Sequence, residues 1–509
     1  MNGNLYARFT DLQDASDRPA LTLPDESSWR FTDLDATAGR IASALIAAGC
    51  MAGDRVVSQV EKSPEALALY LACLKVGLVF VPINTAYREA ETRYLIEDSQ
   101  PSLVVTAPEL GRMQREIASP ATKIFTLDQH GGGSLIDASR TLAPTKTLDC
   151  SAEHIALLLY TSGTTGKPKG AMLSHGAMAR NAALLRDLWE VTATDVIIHC
   201  LPLFHAHGLT VSINCALLAG ARMVWQQRFS VDDVCAWLPR ASVFMGVPTM
   251  YNRLIRSGQM TAELCANMRL FTSGSAALSV EALEGFEHLT GHRIIERYGM
   301  SETGINASNP FRGPRKAGSV GLPLDGTQVR IVGPDGEDCT DDAPGEVWIA
   351  SHSLCSGYWH NPEANAASFR DGWCLTGDIG RLDEDGYLYL VDRSKDVIIT
   401  GGYNVYPSEV EAAVKLLPHV QEAAVIGVPD ADFGEAVIAV ILLEPDGRLD
   451  EQVAIATLKS QIANYKVPKR IIAVESLPRN AMGKVLNAAL REIYRDVLRS
   501  LPEPLQSLG

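Results

Sequence analysis

The chain has 509 residues, of which 46% are hydrophobic and 21% are charged, as is ordinary for a globular protein with a large buried core. At roughly 100–200 residues per domain, this length predicts more than one domain. The 45 basic and 60 acidic residues give a formal net charge of −15. This balance argues against nucleic acid as a partner and against broad binding to an anionic membrane, because both require a basic field. An anionic ligand therefore needs a local binding site.

The ten cysteines form no C-x-x-C pair, and most stand in apolar stretches such as Ala72-Cys73-Leu74. Buried reduced thiols are therefore expected, rather than metal ligands or disulfides. The first eight residues lack the apolar run of a signal peptide. Apolar stretches such as residues 41–53 stop short of the ~20 residues that span a bilayer. The sequence predicts a cytoplasmic protein without membrane insertion.

Helical and β-rich segments alternate along much of the first 390 residues. Residues 35–50 predict a helix that closes on glycine, and residues 54–60 predict a strand. A second helix is expected at 64–76 and a buried strand at 78–83. This order is typical of layered α/β structure with parallel sheets.

Between residues 315 and 390 the sequence changes to short strands punctuated by Gly, Pro and Asp, which predicts antiparallel structure. The C-terminal segment returns to a mixed α/β pattern whose size fits a small separate domain. Strands in these two regions are expected at 328–332, 346–350, 387–391, 423–427 and 436–442. The predicted fold class is α/β, with a large N-terminal domain of layered α/β sheets plus a β-rich subdomain, and a small mobile α+β C-terminal domain.

The sharpest chemical signal follows the apolar run at 155–159. The segment Leu159-Tyr-Thr-Ser-Gly-Thr-Thr-Gly-Lys-Pro-Lys-Gly170 combines three glycines, four Ser or Thr hydroxyls and two lysines. Many N–H and O–H donors together with positive charge are what a polyphosphate requires. The loop is not a Walker A motif, because Lys167 is followed by Pro168. A flexible surface linker is the alternative, which the position directly after a strand disfavours.

This loop resembles the phosphate-binding signature of the acyl- and aryl-CoA synthetase superfamily of adenylate-forming enzymes. Four later segments resemble further motifs of that family in the same order: Tyr298-Gly-Met-Ser-Glu302, Leu375-Thr-Gly-Asp378, residues 392–407 and Pro478-Arg-Asn-Ala-Met-Gly-Lys484. The resemblance implies an AMP-binding domain over residues 1–391 and a mobile C-terminal domain over residues 392–509. It also implies ATP, Mg²⁺ and coenzyme A as cofactors and co-substrate.

The resemblance further implies that a substrate carboxylate attacks the α-phosphate of ATP. Lys484 would stabilise the charge that grows there, and Glu302 would hold Mg²⁺. A solvated surface lysine is the alternative for Lys484. Asp378 and Arg393 are expected at the ribose. The residues expected to bind ATP or AMP are Thr161, Ser162, Gly163, Thr164, Thr165, Gly166, Lys167, Ser273, Gly274, Ser275, Ala276, Tyr298, Gly299, Ser301, Asp378 and Arg393.

In the second half-reaction of this family a thiol attacks the acyl-adenylate after the C-terminal domain has rotated. Lys395 stands at the hinge position. Gly401 and Gly402 would line the pantetheine passage, with a plain Gly-Gly turn as the alternative. Acylation of Lys484 by a lysine acetyltransferase would remove its charge and stop the first half-reaction.

Arg297 indicates which acid is activated, because it directly precedes the Tyr298 segment. Fatty and aromatic acids require an apolar pocket, in which an unpaired guanidinium would cost several kcal/mol. A dicarboxylate would instead be held by a bidentate fork. His205, His207 and Ser275 are candidates for a second group that faces the acid. Pairing of Arg297 with Glu296 or Glu302 is the alternative.

Residues 296–303 and 203–209 resemble the malonyl-CoA synthetase branch of the superfamily. Malonate is therefore the predicted substrate, with methylmalonate as a second substrate, and a CoA ligase for another short acid is the alternative. His205 and His207 on one face of a strand would instead favour a metal pair. A carrier-loading adenylation domain, a light-producing oxygenase and a non-enzymatic nucleotide-binding module are more distant alternatives. The pocket stretch 204–207 lacks the acidic residue that an amino-acid substrate requires.

Overall fold

The computed structural model describes residues 2–14, 16–161, 168–339, 342–393, 396–400, 403–430, 433–462, 464–480 and 483–498, except for the side chains of residues 13, 393, 403 and 404. No helix within these ranges is long and apolar enough to cross a membrane. The described residues form two compact units, one within residues 1–329, 348–375 and 385–388 and the other within residues 330–347, 376–384 and 389–509. A domain boundary after residue 391 remains a prediction.

Helices and strands alternate through the first unit, as the sequence predicts. The helices in chain order are α1 (Thr10–Gln13), α2 (Phe31–Ala47), α3 (Pro64–Lys75), α4 (Glu89–Ser99), α5 (Gly111–Ile117), α6 (Ser134–Ser139), α7 (His175–Leu188), α8 (Asn214–Ala219), α9 (Val231–Trp237), α10 (Pro248–Arg256), α11 (Val280–Thr290), α12 (Pro362–Ser368), α13 (Pro407–Lys415), α14 (Glu451–Gln461) and α15 (Asn487–Tyr494).

The strands range from two to eleven residues in length. They are β1 (Pro19–Thr22), β2 (Ser28–Arg30), β3 (Arg55–Gln59), β4 (Val79–Pro82), β5 (Leu103–Thr106), β6 (Lys123–Thr126), β7 (Ile155–Thr161), β8 (Lys169–Ser174), β9 (Val196–His199), β10 (Arg222–Trp225), β11 (Val243–Gly246), β12 (Leu270–Ser273), β13 (Ile295–Met300), β14 (Gly304–Ser308), β15 (Leu322–Pro323), β16 (Thr327–Val332), β17 (Gly345–Ser351), β18 (Phe369–Arg370), β19 (Trp373–Leu382), β20 (Leu388–Arg393), β21 (Ile398–Thr400), β22 (Tyr403–Val405), β23 (Val420–Asp430), β24 (Gly434–Leu443) and β25 (Arg470–Val474).

Two large sheets organise the first unit. Among the described residues one has the strand order β15-β14-β13-β12-β11-β9-β10-β1-β2 and the other β6-β5-β3-β4-β7-β8. Strands β9 to β13 pair in parallel, as do β3, β4 and β5. The prediction of layered α/β structure with parallel sheets is confirmed.

Local sequence explains helix α3, which connects strands β3 and β4 of the six-stranded sheet. The Ser63 side chain accepts a hydrogen bond from the Ala66 N–H, and Pro64 occupies the first helical position of α3. Most residues of α3 are buried, which is typical of a helix that is apolar on every side. Helix α2 begins earlier than predicted because the Asp33 carboxylate accepts the Arg30 N–H at its start.

The remaining sheets contain the Gly- and Pro-punctuated segment and the C-terminal strands. Their orders among the described residues are β16-β17-β19-β18 with β20 on β19, and β22-β21-β24-β23 with β25 on β24. Antiparallel pairing joins β18 to β19 and β23 to β24, whereas β25 is parallel to β24. The mixed α/β fold class, with a large N-terminal domain and a smaller C-terminal domain, is confirmed. All ten cysteines are free thiols, and eight of them are buried.

A cluster of aromatic rings supports the part of the larger sheet that carries β11 and β12. Tyr251, Phe271 and Phe286 meet edge to face, with ring centroids 4.9 Å apart for Phe271 and Phe286 and 5.3 Å apart for Tyr251 and Phe286. The Tyr251 hydroxyl donates to the Thr272 carbonyl at 2.7 Å. The cluster thereby fixes α10 and α11 against the ends of β11 and β12.

We expect Phe286→Ala to destabilise the first unit by about 3–5 kcal/mol, because it opens a cavity in this cluster. Leu289→Ala, on the same helix at a position that is 36% exposed, is the matched control. Thermal unfolding of both variants measures the difference. Equal midpoints for the two would contradict the proposed support.

Candidate active site

The candidate site lies where parallel strands of the larger sheet end. Because β9, β11, β12 and β13 run in parallel, their carboxyl ends meet at one edge, the usual place for ligands in α/β sheets. The segment with both candidate histidines follows β9, and residues 273–276 lie at the end of β12. Strand β13 carries Arg297 and Tyr298.

Arg297 is buried at this edge, with only 5% of its surface exposed. A Cβ atom on Gly274 would lie 2.4 Å from the guanidinium carbon of Arg297, so a larger residue there would displace the guanidinium. The Nε and Nη2 atoms of Arg297 are buried and have no hydrogen-bond partner among the described residues. Burial lowers the pKa of Arg297 to about 10, so the side chain stays cationic at neutral pH.

Arg297 does not pair with Glu296 or Glu302, so this alternative is wrong. Glu296 and Arg297 are neighbours on β13 and so point to opposite faces of the sheet. Glu296 accepts backbone hydrogen bonds from Gly318 and Leu278, while burial raises its pKa to about 7. The Glu302 carboxylate is bonded to Thr161 and Tyr358 instead. Within the described ranges, Arg297 is thus a buried cation without a carboxylate partner.

His205 and His207 do not lie on a strand, so the alternative of a metal pair on one face of a strand is also wrong. His207 begins a π-helix (His207–Ile213), and the Leu209 N–H donates to the His205 carbonyl at 3.0 Å. Burial lowers the pKa of His205 to about 4. The pKa of His207 lies well below its ordinary value, first through burial and then through the charge of Arg297. Both imidazoles are therefore neutral at pH 7.

Both histidines have a buried ring nitrogen without a hydrogen-bond partner among the described residues. The Nε2 atoms of His205 and His207 have no hydrogen-bond partner in the described part of the chain, and neither has the Ser273 hydroxyl. His207 Nδ1 lies 3.3 Å from the Ser275 hydroxyl. Ser275 has a φ of +73°, a conformation that non-glycine residues adopt at a cost and that clusters at binding sites. Arg297, His207, Gly274 and Ser275 are thus brought together.

Glu302 lies in the turn between β13 and β14 and is almost fully buried. Its Oε1 atom accepts hydrogen bonds from the Thr161 hydroxyl at 3.1 Å and the Tyr358 hydroxyl at 3.0 Å. No residue in the described ranges donates to Oε2. One oxygen is held and the other is available, which fits a carboxylate that binds Mg²⁺ next to phosphate oxygens.

Two residues that support this turn were missed by the sequence analysis. Tyr358 orients Glu302, and the Asn181 amide bonds the Ile305 backbone at 3.0 and 3.1 Å. Neither lies in a motif, and both are more than 50 residues from the group that they contact. The sequence feature nearest to Tyr358 is the preceding Gly357, whose φ of +103° in the structure marks a tight turn.

The other predicted nucleotide residues of the first unit surround this edge. Tyr298 is buried, while Ser301 and Thr161 are half-buried and Ala276 is exposed. Gly299 packs against the Gly304 carbonyl so closely that a Cβ would lie 2.3 Å from it. The predicted residues that lie outside the described ranges are Ser162, Gly163, Thr164, Thr165, Gly166, Lys167, Lys395, Gly401 and Gly402.

The second unit contains Asp378 and Lys484. Asp378 is buried on β19, and its N–H donates to the Thr376 hydroxyl at 3.1 Å. Lys484 is exposed, its N–H donates to the Asn480 side chain at 3.0 Å, and its carbonyl accepts the Asn480 N–H at 2.9 Å. Gly483 has a φ of +78°, which favours glycine. Arg393 ends β20, and its side chain lies outside the description.

Comparison with known proteins agrees with this geometry. The family described as AMP-binding enzyme matches residues 9–359, and the AMP-binding enzyme C-terminal domain matches residues 409–484. The malonate–CoA ligase of Arabidopsis thaliana is 35% identical, covering 96% of this chain and 88% of the relative. The indoleacetate–CoA ligase of Aromatoleum aromaticum is 34% identical, covering 95% and 98%.

A solved structure gives the same result. The crystal structure of ATP-bound MatB from Rhodopseudomonas palustris superimposes with a TM-score of 0.95 at 43% identity, covering 98% of this chain and 100% of that one. Together with the family match over more than half of the chain, this similarity identifies an enzyme that uses ATP, Mg²⁺ and CoA. The chain belongs to the AMP-binding enzyme family and is an adenylate-forming acid–CoA ligase.

Proposed function

We propose that this enzyme is a malonate–CoA ligase. It activates malonate with ATP to an acyl-adenylate, releases pyrophosphate, and then transfers the acyl group to CoA with release of AMP. Methylmalonate is a second substrate, because one added methyl group typically changes discrimination by only ~1–3 kcal/mol. A CoA ligase for another short-chain carboxylic acid is the alternative.

The unpaired guanidinium of Arg297 carries this proposal. A buried cation without a partner costs several kcal/mol, and a neutral acyl chain would leave that cost in place. The distal carboxylate of malonate would pair with Nε and Nη2, the two atoms that lack partners. The neutral imidazoles of His205 and His207 would donate further hydrogen bonds from Nε2.

The relatives support this proposal without deciding it. The Arabidopsis enzyme is a malonate–CoA ligase, whereas other relatives of similar identity act on indoleacetate or are feruloyl-CoA synthases. The difference between these acids is a second carboxylate. Because sequence identity does not separate these relatives, the proposal rests on the chemistry of the Arg297 pocket.

In the first half-reaction the carboxylate near the nucleotide attacks the α-phosphate. Lys484 would stabilise the charge that develops there, and Glu302 would hold Mg²⁺ through Oε2. When bound, Mg²⁺ neutralises charge on the phosphate oxygens and orients them. Ser273, Gly274, Ser275, Ala276, Tyr298, Gly299 and Ser301 would position the nucleotide, together with Asp378, Arg393 and the loop from Thr161 to Lys167.

In the second half-reaction the CoA thiol attacks the acyl-adenylate. Lys395 would act as the hinge of a mobile C-terminal domain that begins at residue 392, and Gly401 with Gly402 would line the passage for pantetheine. Lys484 is exposed, so a lysine acetyltransferase would be able to reach it. Acylation would remove its charge and stop adenylation.

Arg297→Met tests the assignment of the acid pocket. We expect kcat/KM for malonate to fall at least about 30-fold, which corresponds to about 2 kcal/mol or more for a lost buried charge pair. The melting temperature should not fall, because an unpaired buried charge is replaced by an apolar side chain. Malonate- and butyrate-dependent ATP–pyrophosphate exchange and thermal unfolding provide the measurements.

The matched control for this experiment is Arg293→Met. Arg293 lies four residues earlier, is partly exposed and pairs weakly with Glu287 at 3.8 Å. Its variant should retain wild-type malonate turnover. Unchanged malonate turnover in Arg297→Met would exclude the dicarboxylate pocket. A wild-type enzyme that turns over butyrate but not malonate would favour the alternative, a CoA ligase for another short acid.

Lys484→Ala should separate the two half-reactions. We expect it to block adenylation, because the charge at the α-phosphate is lost, and to leave thioester formation from supplied malonyl-adenylate largely intact. ATP–pyrophosphate exchange and thioester formation are measured separately. Unchanged exchange in this variant would refute the role of Lys484.

Tyr358→Phe tests the orientation of Glu302. Loss of one hydrogen bond to a carboxylate is worth about 1 kcal/mol or more, so the Mg²⁺ concentration for half-maximal exchange should rise at least about fivefold. Tyr6→Phe is the control, because it removes a hydroxyl that bonds Asp35 at 2.6 Å without contacting Glu302. Identical Mg²⁺ titrations for wild type and Tyr358→Phe would count against this arrangement.

A further inference from the structure

A buried lysine contacts His199 and Leu201, just before the segment that carries His205 and His207. It has no carboxylate partner among the described residues. Lys62 follows β3 and precedes α3, and only 7% of its surface is exposed. Its Nζ atom contacts His199 Nδ1 at 2.6 Å and donates to the His199 carbonyl at 2.8 Å and the Leu201 carbonyl at 3.1 Å. The Trp225 ring lies 4.4 Å from Nζ. All three ammonium protons therefore have acceptors on one short segment of chain.

His199 transmits this contact to the start of the π-helix. Because an ammonium group only donates, His199 Nδ1 accepts, and its Nε2–H donates to the Gly208 carbonyl at 3.1 Å. The imidazole ring stacks on Trp225 with a centroid distance of 5.1 Å. Lys62 thus holds Leu201 directly and Gly208 through His199. These two anchors enclose the segment that carries His205 and His207.

We propose that Lys62 is a positioning residue of the acid pocket, whose protonated ammonium acts through His199 to hold His207 and His205 toward the distal carboxylate of the substrate. This inference rests on the proposed function, since it takes the Arg297 pocket to be the acid site. It adds a second buried cation, which a neutral acyl chain would not require. The pocket is thereby suited to a dianion.

The contact depends on the charge of Lys62. A neutral amine has only two N–H groups and leaves one of the three acceptors without a donor. Burial lowers the pKa of Lys62 to about 7, so the ammonium is present below that pH and is lost above it. A bound dianion favours the charged form and raises this pKa. Malonate binding at pH 8 should therefore take up a proton.

The other titratable groups near Lys62 do not change charge in this range. Those that face it are His199, whose pKa burial holds well below its ordinary value, and Cys200, whose pKa burial raises to about 12. Beyond them lie His207 and His205, both neutral, and Arg297, which remains charged. Glu296, whose pKa burial raises to about 7, also titrates near this range but points to the opposite face of β13 from Arg297. Proton uptake that is lost in Lys62→Arg is therefore assigned to Lys62.

The test is titration calorimetry of malonate at pH 8, with a non-hydrolysable ATP analogue and Mg²⁺ present, in buffers of different ionisation enthalpy. Wild type should take up a substantial fraction of a proton. Lys62→Arg, which is always charged, should bind malonate without that uptake. The KM for malonate should rise at least about fivefold from pH 7 to 8.5 in wild type and stay flat in Lys62→Arg.

Lys62→Met should raise the KM for malonate about tenfold or more while the KM for ATP changes less than twofold. Lys75→Met is the matched control, because Lys75 is equally buried and lies over the Tyr6 ring, but pairs with Asp35 at 2.5 Å. It should lower stability and leave the KM for malonate unchanged. If Lys62→Met does not fold, Lys62→Arg decides the question.

The same proton uptake in wild type and Lys62→Arg would overturn the role of Lys62, as would a wild-type KM that is independent of pH. A wild-type enzyme that uses no malonate would instead overturn the proposed function. The two failures are therefore distinguishable.

Discussion

Arg297, whose guanidinium has no carboxylate partner in the described part of the chain, is the constraint on which the rest of this site depends. Strand β13 places Arg297 among the ends of β11 and β12, and the absence of a side chain on Gly274 makes room for it. A charge in that position is costly until an anion arrives. The aromatic cluster of Tyr251, Phe271 and Phe286 packs α10 and α11 against the sheet that carries this site.

Charge in the pocket is set by burial rather than by the histidines. His205 and His207 stay neutral because burial, and for His207 also the neighbouring Arg297, disfavours a further positive charge. They therefore serve as hydrogen-bond donors without adding repulsion between cations. The overall net charge of −15 is irrelevant to this local field, since short distances and low dielectric dominate in a buried site.

The sequence predicted the elements and motifs that depend on neighbouring residues. Helix α3 and strands β3 and β4 follow from periodicity. It did not predict Tyr358, because the contact with Glu302 joins residues 56 positions apart. It placed His205 and His207 on a strand as one alternative, because an i, i+2 spacing alone does not distinguish a strand from a helical start.

The difference between local patterns and long-range contacts also explains why the sequence analysis missed Lys62. A residue that touches substrate often lies in a turn whose glycines and hydroxyls mark it in the sequence, whereas a residue that holds such a turn is isolated in ordinary surroundings. Lys62 contacts His199 across 137 positions, and only the fold brings them together. In the malonate site that we propose, Arg297 would supply a permanent charge and Lys62 a titratable one, so affinity for a dianion and its dependence on pH would arise from different residues.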